Sequence, residues 1–298
     1  MIKEPTRAAW TVLSLLEWSA GYLAGRGIDS PRLTSELLLG RVLHLERIAL
    51  YTNFDRPLSP AELGSYKELL RRRLAREPVQ YILGEAHFMG LRFSVDPGVL
   101  IPRPETELLV ELATGMEKAD PGSIRAVLDI GTGSGCIGVS LAVLIPGCRV
   151  DAIDISADAL RTAARNAADV GARDRVTFTR ADALGDPGAA TAGPYDLIVS
   201  NPPYISAAEF GLLDPEVREF EPTCATTDGA DGLTFYRAIA SRWTGLLRPG
   251  GWCLVEVAYN QALDVQEIFR AARCTELSAS ADYSGILRIV RARRREAP

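Results

Sequence analysis

The sequence is short of the residues that hold metals and haem. It has two histidines, His44 and His87, and five cysteines, Cys136, Cys148, Cys224, Cys253 and Cys274, scattered with no Cys-x-x-Cys pair. A zinc or haem site has little to be built from, so no metal is expected. The odd, dispersed thiols also argue against a disulfide framework and read as reduced core cysteines. No apolar run approaches the roughly 20 residues that a membrane helix needs. The start Met1-Ile2-Lys3-Glu4-Pro5 lacks the pattern of a secretory signal. A cytoplasmic protein with no membrane partner is the expectation.

A large excess of positive charge is missing too. Residues 1–85 hold 12 Lys or Arg against 10 Asp or Glu, and the remainder holds 21 against 28. Gripping duplex DNA takes a basic face, because phosphate contacts dominate affinity. The only candidates are Arg71-Arg72-Arg73 with Arg76 and the tail Arg291, Arg293, Arg294 and Arg295, which read as a solvated helix face and a chain end. No direct nucleic-acid binding is expected.

What is present suits a globular protein of two domains: 298 residues, 47% apolar and 24% charged. Residues 6 to about 85 read as a helical bundle, with no strand pattern and no convincing cluster of catalytic side chains. The first helix carries Trp10, Leu13, Leu16 and Leu23 and ends near Gly25 or Gly27. Ser30 as N-cap with Pro31 at the first helical position opens a second, with a buried stripe of Leu33, Leu37, Leu38 and Val42. Ser59-Pro60 opens a third through Leu63, Tyr66, Leu70 and Leu74. From Phe88 to Gly98 apolar and polar residues alternate between glycines, as in a short hairpin. Three segments follow: a helical docking domain over 1–85, a hairpin linker over 86–100 and a catalytic domain over 101–298.

From Ser123 onward strands and helices alternate, which predicts a Rossmann-like parallel sheet covered on both faces. Strands are expected at 126–130, 150–154, 175–179 and 195–200. A loop of about thirty residues, a helix over 236–247, a strand over 252–257, a further helix and two strands near 276–280 and 285–291 complete the pattern. The fold class is α/β, with an N-terminal helical bundle joined by a β-hairpin.

Two stretches in this sheet carry chemistry. The apolar run Tyr195–Val199 is stopped by Ser200-Asn201-Pro202-Pro203-Tyr204, since proline cannot donate to a ladder and restricts the residue before it. Asn201 is thereby delivered to the carboxyl end of a strand, where open parallel sheets bind ligands. Its amide oxygen and the Pro202 carbonyl form a stiff pair of acceptors, with Pro203 holding the turn and Tyr204 as a flat wall. Such a cluster suits a planar group bearing an NH2. Tyrosine titrates near pH 10, too high for a good general base, and no other base is evident. Asn-Pro alone is an ordinary turn; Asn-Pro-Pro-Tyr closing a buried strand, beside the glycine loop below, is not.

Asp129-Ile130-Gly131-Thr132-Gly133-Ser134-Gly135 ends the first strand and leads into a helix. Gly133 to Gly138 also satisfies Gly-x-Gly-x-x-Gly, so a dinucleotide enzyme has to be weighed. Asp129, together with Asn201 to Tyr204, weighs against it, because a carboxylate there opposes a pyrophosphate but welcomes the ammonium group of S-adenosylmethionine. Asp154, at the end of the second strand, is placed for the ribose hydroxyls, and Asp182 with Ala183, after the third, for the adenine. A sulfonium donor needs little activation, so the enzyme's task is alignment, which can supply roughly 7–11 kcal/mol. Asn201 and Pro202 then stabilise charge growing on the attacked nitrogen.

Over nearly its whole length the chain resembles the protein-(glutamine-N5) methyltransferases that modify class I peptide chain release factors. The resemblance rests on the helical N-terminal region, on Pro78-Val79-Gln80-Tyr81-Ile82-Leu83-Gly84 with Phe88 and Gly90, on Leu100 to Glu107, on Asp129 to Gly135 and on Asn201 to Tyr204. Asn-Pro-Pro-Tyr is shared with other amino-methylating enzymes, whereas Pro102 to Glu107 is more specific and reads as active-site surround. The resemblance implies a class I S-adenosylmethionine-dependent fold and S-adenosylhomocysteine as product. It further implies methylation of the glutamine in a Gly-Gly-Gln motif, docking of the release factor by the helical domain, and a monomer. The chain departs from the pattern at Thr226, where Glu-Pro-x-x-Ala-Leu is usual, at Ala258, where Glu-x-Gly is usual before Gln261, and at Ala183, where some members have an aromatic. An amino methyltransferase acting on adenine or guanine is the rival enzyme, requiring base flipping or single-stranded access. A binding module that has lost catalysis is the other rival, opposed by the intact Asn201 and glycine loop.

Overall fold

The computed structural model describes residues 10–191 and 193–296; the Met1–Pro5 stretch lies outside them. The chain divides into two compact units, Met1–Gly84 and Glu85–Pro298.

Among the described residues the first unit is built from the helices α1 (Val12–Ala24), α2 (Pro31–Leu43), α3 (Arg47–Thr52), α4 (Pro60–Leu74) and α5 (Val79–Leu83), with one isolated antiparallel bridge between Thr11 and Pro57. Its core joins Val12, Leu16, Leu23, Leu38, Leu39 and Leu50 with Tyr66 and Leu70. Trp10 precedes α1 and is exposed, and Val12, Leu15 and Leu16 are buried instead. In α2 the buried face runs through Thr34, Ser35, Leu38 and Leu39, while Leu33 is exposed. Ser59 caps α4 as expected, accepting from the Glu62 amide in a reciprocal capping box. Ser30 does not cap α2: its φ of 48° is left-handed, not the extended backbone that a capping serine needs. The short α3 and α5 carry too few turns for a period to be read. Of the basic run, Arg71 and Arg72 are paired with Glu68 and Glu77, and Arg73 is buried.

The second unit opens with a hairpin of β1 (Glu85–Phe88) and β2 (Leu91–Ser94), whose Phe88 and Phe93 belong to this unit's own core. The order continues α6 (Pro104–Ala119), β3 (Ala126–Ile130), α7 (Cys136–Leu144), β4 (Arg149–Asp154), α8 (Ala157–Asp169), β5 (Val176–Arg180) and β6 (Tyr195–Ser200). The stretch expected as an open loop holds three short helices, α9 (Ala207–Phe210), α10 (Pro215–Phe220) and α11 (Thr223–Thr226). Two of them start at signals, Ser206 with Glu209 as a capping box and Pro215 at a first helical position. Then come α12 (Thr234–Ala238), β7 (Leu247–Glu256), α13 (Ala262–Ala271), β8 (Thr275–Ala281) and β9 (Leu287–Arg293). The expected single helix over 236–247 is α12 followed by a π-helical turn and a 3-10 turn. Strand β7 starts before Pro249-Gly250-Gly251, which sits at a shift in its register with β6.

The seven-stranded sheet has the order β5-β4-β3-β6-β7-β9-β8. It is parallel from β5 to β7, and β9 and β8 add an antiparallel edge. Alternate residues of the central strands enter two cores. Val127, Leu197 and Val199 pack with Leu109 and Val110 of α6 and Leu141 of α7. Leu128, Ile130 and Ile198 pack with Tyr236, Trp243, Val265 and Phe269 on the other face. Each such buried aliphatic contributes roughly 1.5–3 kcal/mol. Arg291 and Arg293 lie over the Trp252 ring, and Arg293 also pairs with Glu276, so much of the basic tail is built into β9.

Candidate active site

The winding of the sheet decides where the site lies. From β3 the chain moves outward to β4 and β5, and β6 returns on the other side of β3. The carboxyl ends of β3 and β6 therefore flank the point where the winding reverses, which is where open α/β sheets bind ligands. Ile130 stands opposite Ser200, whose hydroxyl donates to the Ile130 carbonyl at 2.7 Å. The glycine turn after β3 and Asn201 after β6 are thereby brought together.

Gly131, Gly133 and Gly135 have φ of 73°, 55° and 83°, left-handed values that favour glycine. Two acids brace the turn. Asp129 is fully buried and accepts from the Thr132 hydroxyl at 2.7 Å and the Gly138 amide at 3.0 Å. Burial, with a smaller push from Asp154, raises its pKa to about 6. Its Oδ1 has no partner. Asp154 accepts from the Gly133 and Ser156 amides, both at 2.9 Å, and burial raises its pKa as well.

A cavity of ≈ 250 Å³ opens beside this turn. Gly131, Thr132, Gly133, Ser134, Asp154, Asp182, Ala183, Asn201 and Pro203 border it, with Leu100 to Arg103, Thr106 and Phe235. Asp182 is exposed and accepts from the Leu184 amide at 2.8 Å, and the Ala183 carbonyl accepts from the Trp243 indole at 2.8 Å. Four expected site residues are not on the cavity wall. The Asp129 side chain is turned into the hydrogen bonds of its own loop, and Gly135 packs so closely on α8 that a Cβ would stand 3.0 Å from that of Ala163. Pro202 is buried, and the Tyr204 hydroxyl is tied to Glu256 Oε1 at 3.3 Å.

The neighbours of Asn201 include Thr106, inside the Pro102-to-Glu107 stretch, and Glu256, neither of which has a role assigned from the sequence. Asn201 Nδ2 donates to Thr106 Oγ1 at 3.1 Å, and Thr106 Oγ1 donates to Glu256 Oε2 at 2.5 Å. Thr106 and Glu256 are 1% and 2% exposed. Burial pushes the Glu256 carboxyl up to about 7. An acid inside the apolar run Trp252 to Val257 was the available signal. Arg103, at the cavity, pairs at 2.5 Å with the buried Glu221. Gln261 donates through Nε2 to the Tyr204 carbonyl at 3.0 Å and accepts from the Ala258 amide at 3.2 Å, which fixes the chain just after Pro203. The departures are accommodated: Thr226 is buried with its hydroxyl donating to the Pro222 carbonyl, and Ala258 still serves Gln261.

The residues present fit S-adenosylmethionine. The buried Asp129 carboxyl behind the glycine turn, with its Oδ1 unpartnered, favours a cationic group over a pyrophosphate, and each Asp154 oxygen at the cavity keeps a lone pair for a hydroxyl. Among the described residues no group of three or more His, Cys, Asp or Glu is placed to hold a metal ion, and no helix is long and apolar enough to cross a membrane.

Sheet order, glycine turn and strand-end acid together define a methyltransferase of the Rossmann-like α/β class. Residues 14–84 match the family model of the PrmC N-terminal domain, and residues 105–212 match the methyltransferase small domain. A release factor glutamine methyltransferase of Chlorobaculum tepidum is 45% identical over 94% of this chain and 96% of its own length. One of Geobacter sulfurreducens is 45% identical over the same shares. A methyltransferase of Pyrococcus furiosus superposes with a TM-score of 0.52 at 18% identity, over 77% of this chain and 99% of that one, which shows the fold. The chain belongs to the release factor glutamine methyltransferase family.

Proposed function

We propose that the cavity binds S-adenosylmethionine and that Asn201 and Pro202 hold a glutamine side-chain amide for methylation at its nitrogen. The glutamine is that of the Gly-Gly-Gln motif in a class I peptide chain release factor. The names of relatives at 45% identity support this substrate over an adenine or guanine base. The helical unit is assigned to docking the release factor, and the enzyme works as a cytoplasmic monomer.

The observation that carries the chemistry is the bond from Asn201 Nδ2 to Thr106. It commits the NH2 end of the Asn201 amide to the protein and leaves Oδ1 as the acceptor at the cavity. Among the described residues no donor reaches the Pro202 carbonyl. Two acceptors then match the two N–H bonds of the substrate amide. Bound S-adenosylmethionine supplies a methyl group on a sulfonium that leaves without acid assistance. A primary amide is a poor nucleophile because its lone pair is delocalised. Acceptors placed on its N–H bonds stabilise the charge that grows on nitrogen as the N–C bond forms and the C–S bond breaks, and the nitrogen then loses one proton to solvent to restore a neutral amide. Gly131 to Ser134 and Asp154 hold the donor; Tyr204, off the cavity wall with its hydroxyl tied to Glu256, is not a base.

Asn201→Ala tests the assignment. It should abolish methyl transfer to a release factor while thermal unfolding stays close to wild type. Near-normal turnover would remove Asn201 from the mechanism.

A further inference from the structure

We infer that Thr106 and Glu256 are positioning residues which set the orientation of the Asn201 amide, and that the active orientation requires Glu256 as a carboxylate. The inference rests on the role proposed for Asn201.

The two ends of an asparagine amide have nearly the same shape, so hydrogen bonding decides which one faces the substrate. Thr106 has one hydroxyl proton. A carboxylate accepts and cannot donate, so an ionised Glu256, 2.5 Å away, takes that proton. The Thr106 oxygen is then left only with lone pairs, and the end of Asn201 that can meet it at 3.1 Å is the NH2. The amide oxygen is consequently turned to the substrate. Glu256 is held on its other side by the Tyr204 hydroxyl, and its backbone carbonyl by the Tyr236 hydroxyl at 2.7 Å.

Protonation reverses the chain. A neutral Glu256 can donate to Thr106, which frees the threonine proton for the Asn201 oxygen and turns the asparagine NH2 toward the substrate NH2. Two donors then face each other and the substrate amide is not held. The charged and titratable groups acting around Glu256 are Glu105 on α6, Cys136 on α7, Tyr204 after β6, Tyr236 on α12 and Arg288 on β9. Glu105 opposes the charge and Arg288 favours it; burial dominates and places the titration near 7, within reach of a pH profile.

The test is steady-state methylation of a release factor across pH, with Thr106→Val, Thr106→Ser and Glu256→Gln. Thr106→Val should lower kcat about tenfold or more at about pH 8 with KM for S-adenosylmethionine unchanged, and Thr106→Ser should restore it. Wild-type kcat should fall from about pH 8 to about pH 6. Glu256→Gln keeps an acceptor for Thr106 but cannot titrate, so its kcat should stay flat over that range. Wild-type kcat in Thr106→Val, or the same pH limb in Glu256→Gln as in wild type, would overturn the inference while leaving Asn201 in place. Turnover retained in Asn201→Ala would instead remove the reading on which it stands.

Discussion

Thr106 and Glu256, 150 positions apart in the chain, meet at 2.5 Å in the buried interior, one from the first turn of α6 and the other from the end of β7. That bond ties the Pro102-to-Glu107 stretch to the sheet directly behind Asn201. Keeping an acid there has a cost that pH reveals. The Glu256 carboxyl is raised from 4.5 to about 7, so between those values the folded protein retains a proton that the unfolded chain has lost. Stability therefore falls as pH rises through that window, because the folded state binds more protons. Asp129, raised to about 6, adds a slope of the same sign. Glu256→Gln should gain stability relative to wild type on going from about pH 5 to about pH 8, by on the order of 1–3 kcal/mol in denaturant unfolding without cofactor. An identical pH dependence in both proteins would contradict the placement of this acid.

Gly135 is required for backbone and for space. Its φ is 83°, and an added Cβ would stand 3.0 Å from Ala163 Cβ and 3.1 Å from Val139 Cγ2. Gly135→Ala should cost about 1–3 kcal/mol of stability. A melting temperature equal to wild type would show that the turn does not need this conformation.

Asp154 both braces Gly133 and, in this account, binds the cofactor ribose. Asp154→Ala should weaken S-adenosylmethionine binding in calorimetry by roughly 10- to 100-fold, the range for lost hydrogen bonds to a charged group. Unchanged affinity would remove the assignment.

Much of the second unit was legible in the sequence, because buried parallel strands are continuous apolar runs and their ends carry proline or glycine. The strand before Asn201 and the turn from Gly131 to Gly135 were placed by that punctuation alone. Short helices were not, since α3 and α9 to α11 span one or two turns and show no period. The antiparallel edge of β9 and β8 also escaped, because pairing direction leaves no mark in an isolated run. At the site, the cavity residues adjacent in sequence to a motif were found, whereas the Asn201–Thr106–Glu256 chain was not. It links three distant segments through side chains, and only the fold brings them together. Ser30 fails as a cap for a related reason: the residue type was right and the backbone conformation was not.

The most direct measurement is transfer of a labelled methyl group from S-adenosylmethionine to a purified class I release factor, alongside a factor in which the glutamine of Gly-Gly-Gln is alanine and a nucleic-acid sample. Label is expected on the factor, lost with the glutamine, and none on nucleic acid. Label on nucleic acid alone would contradict the proposed substrate.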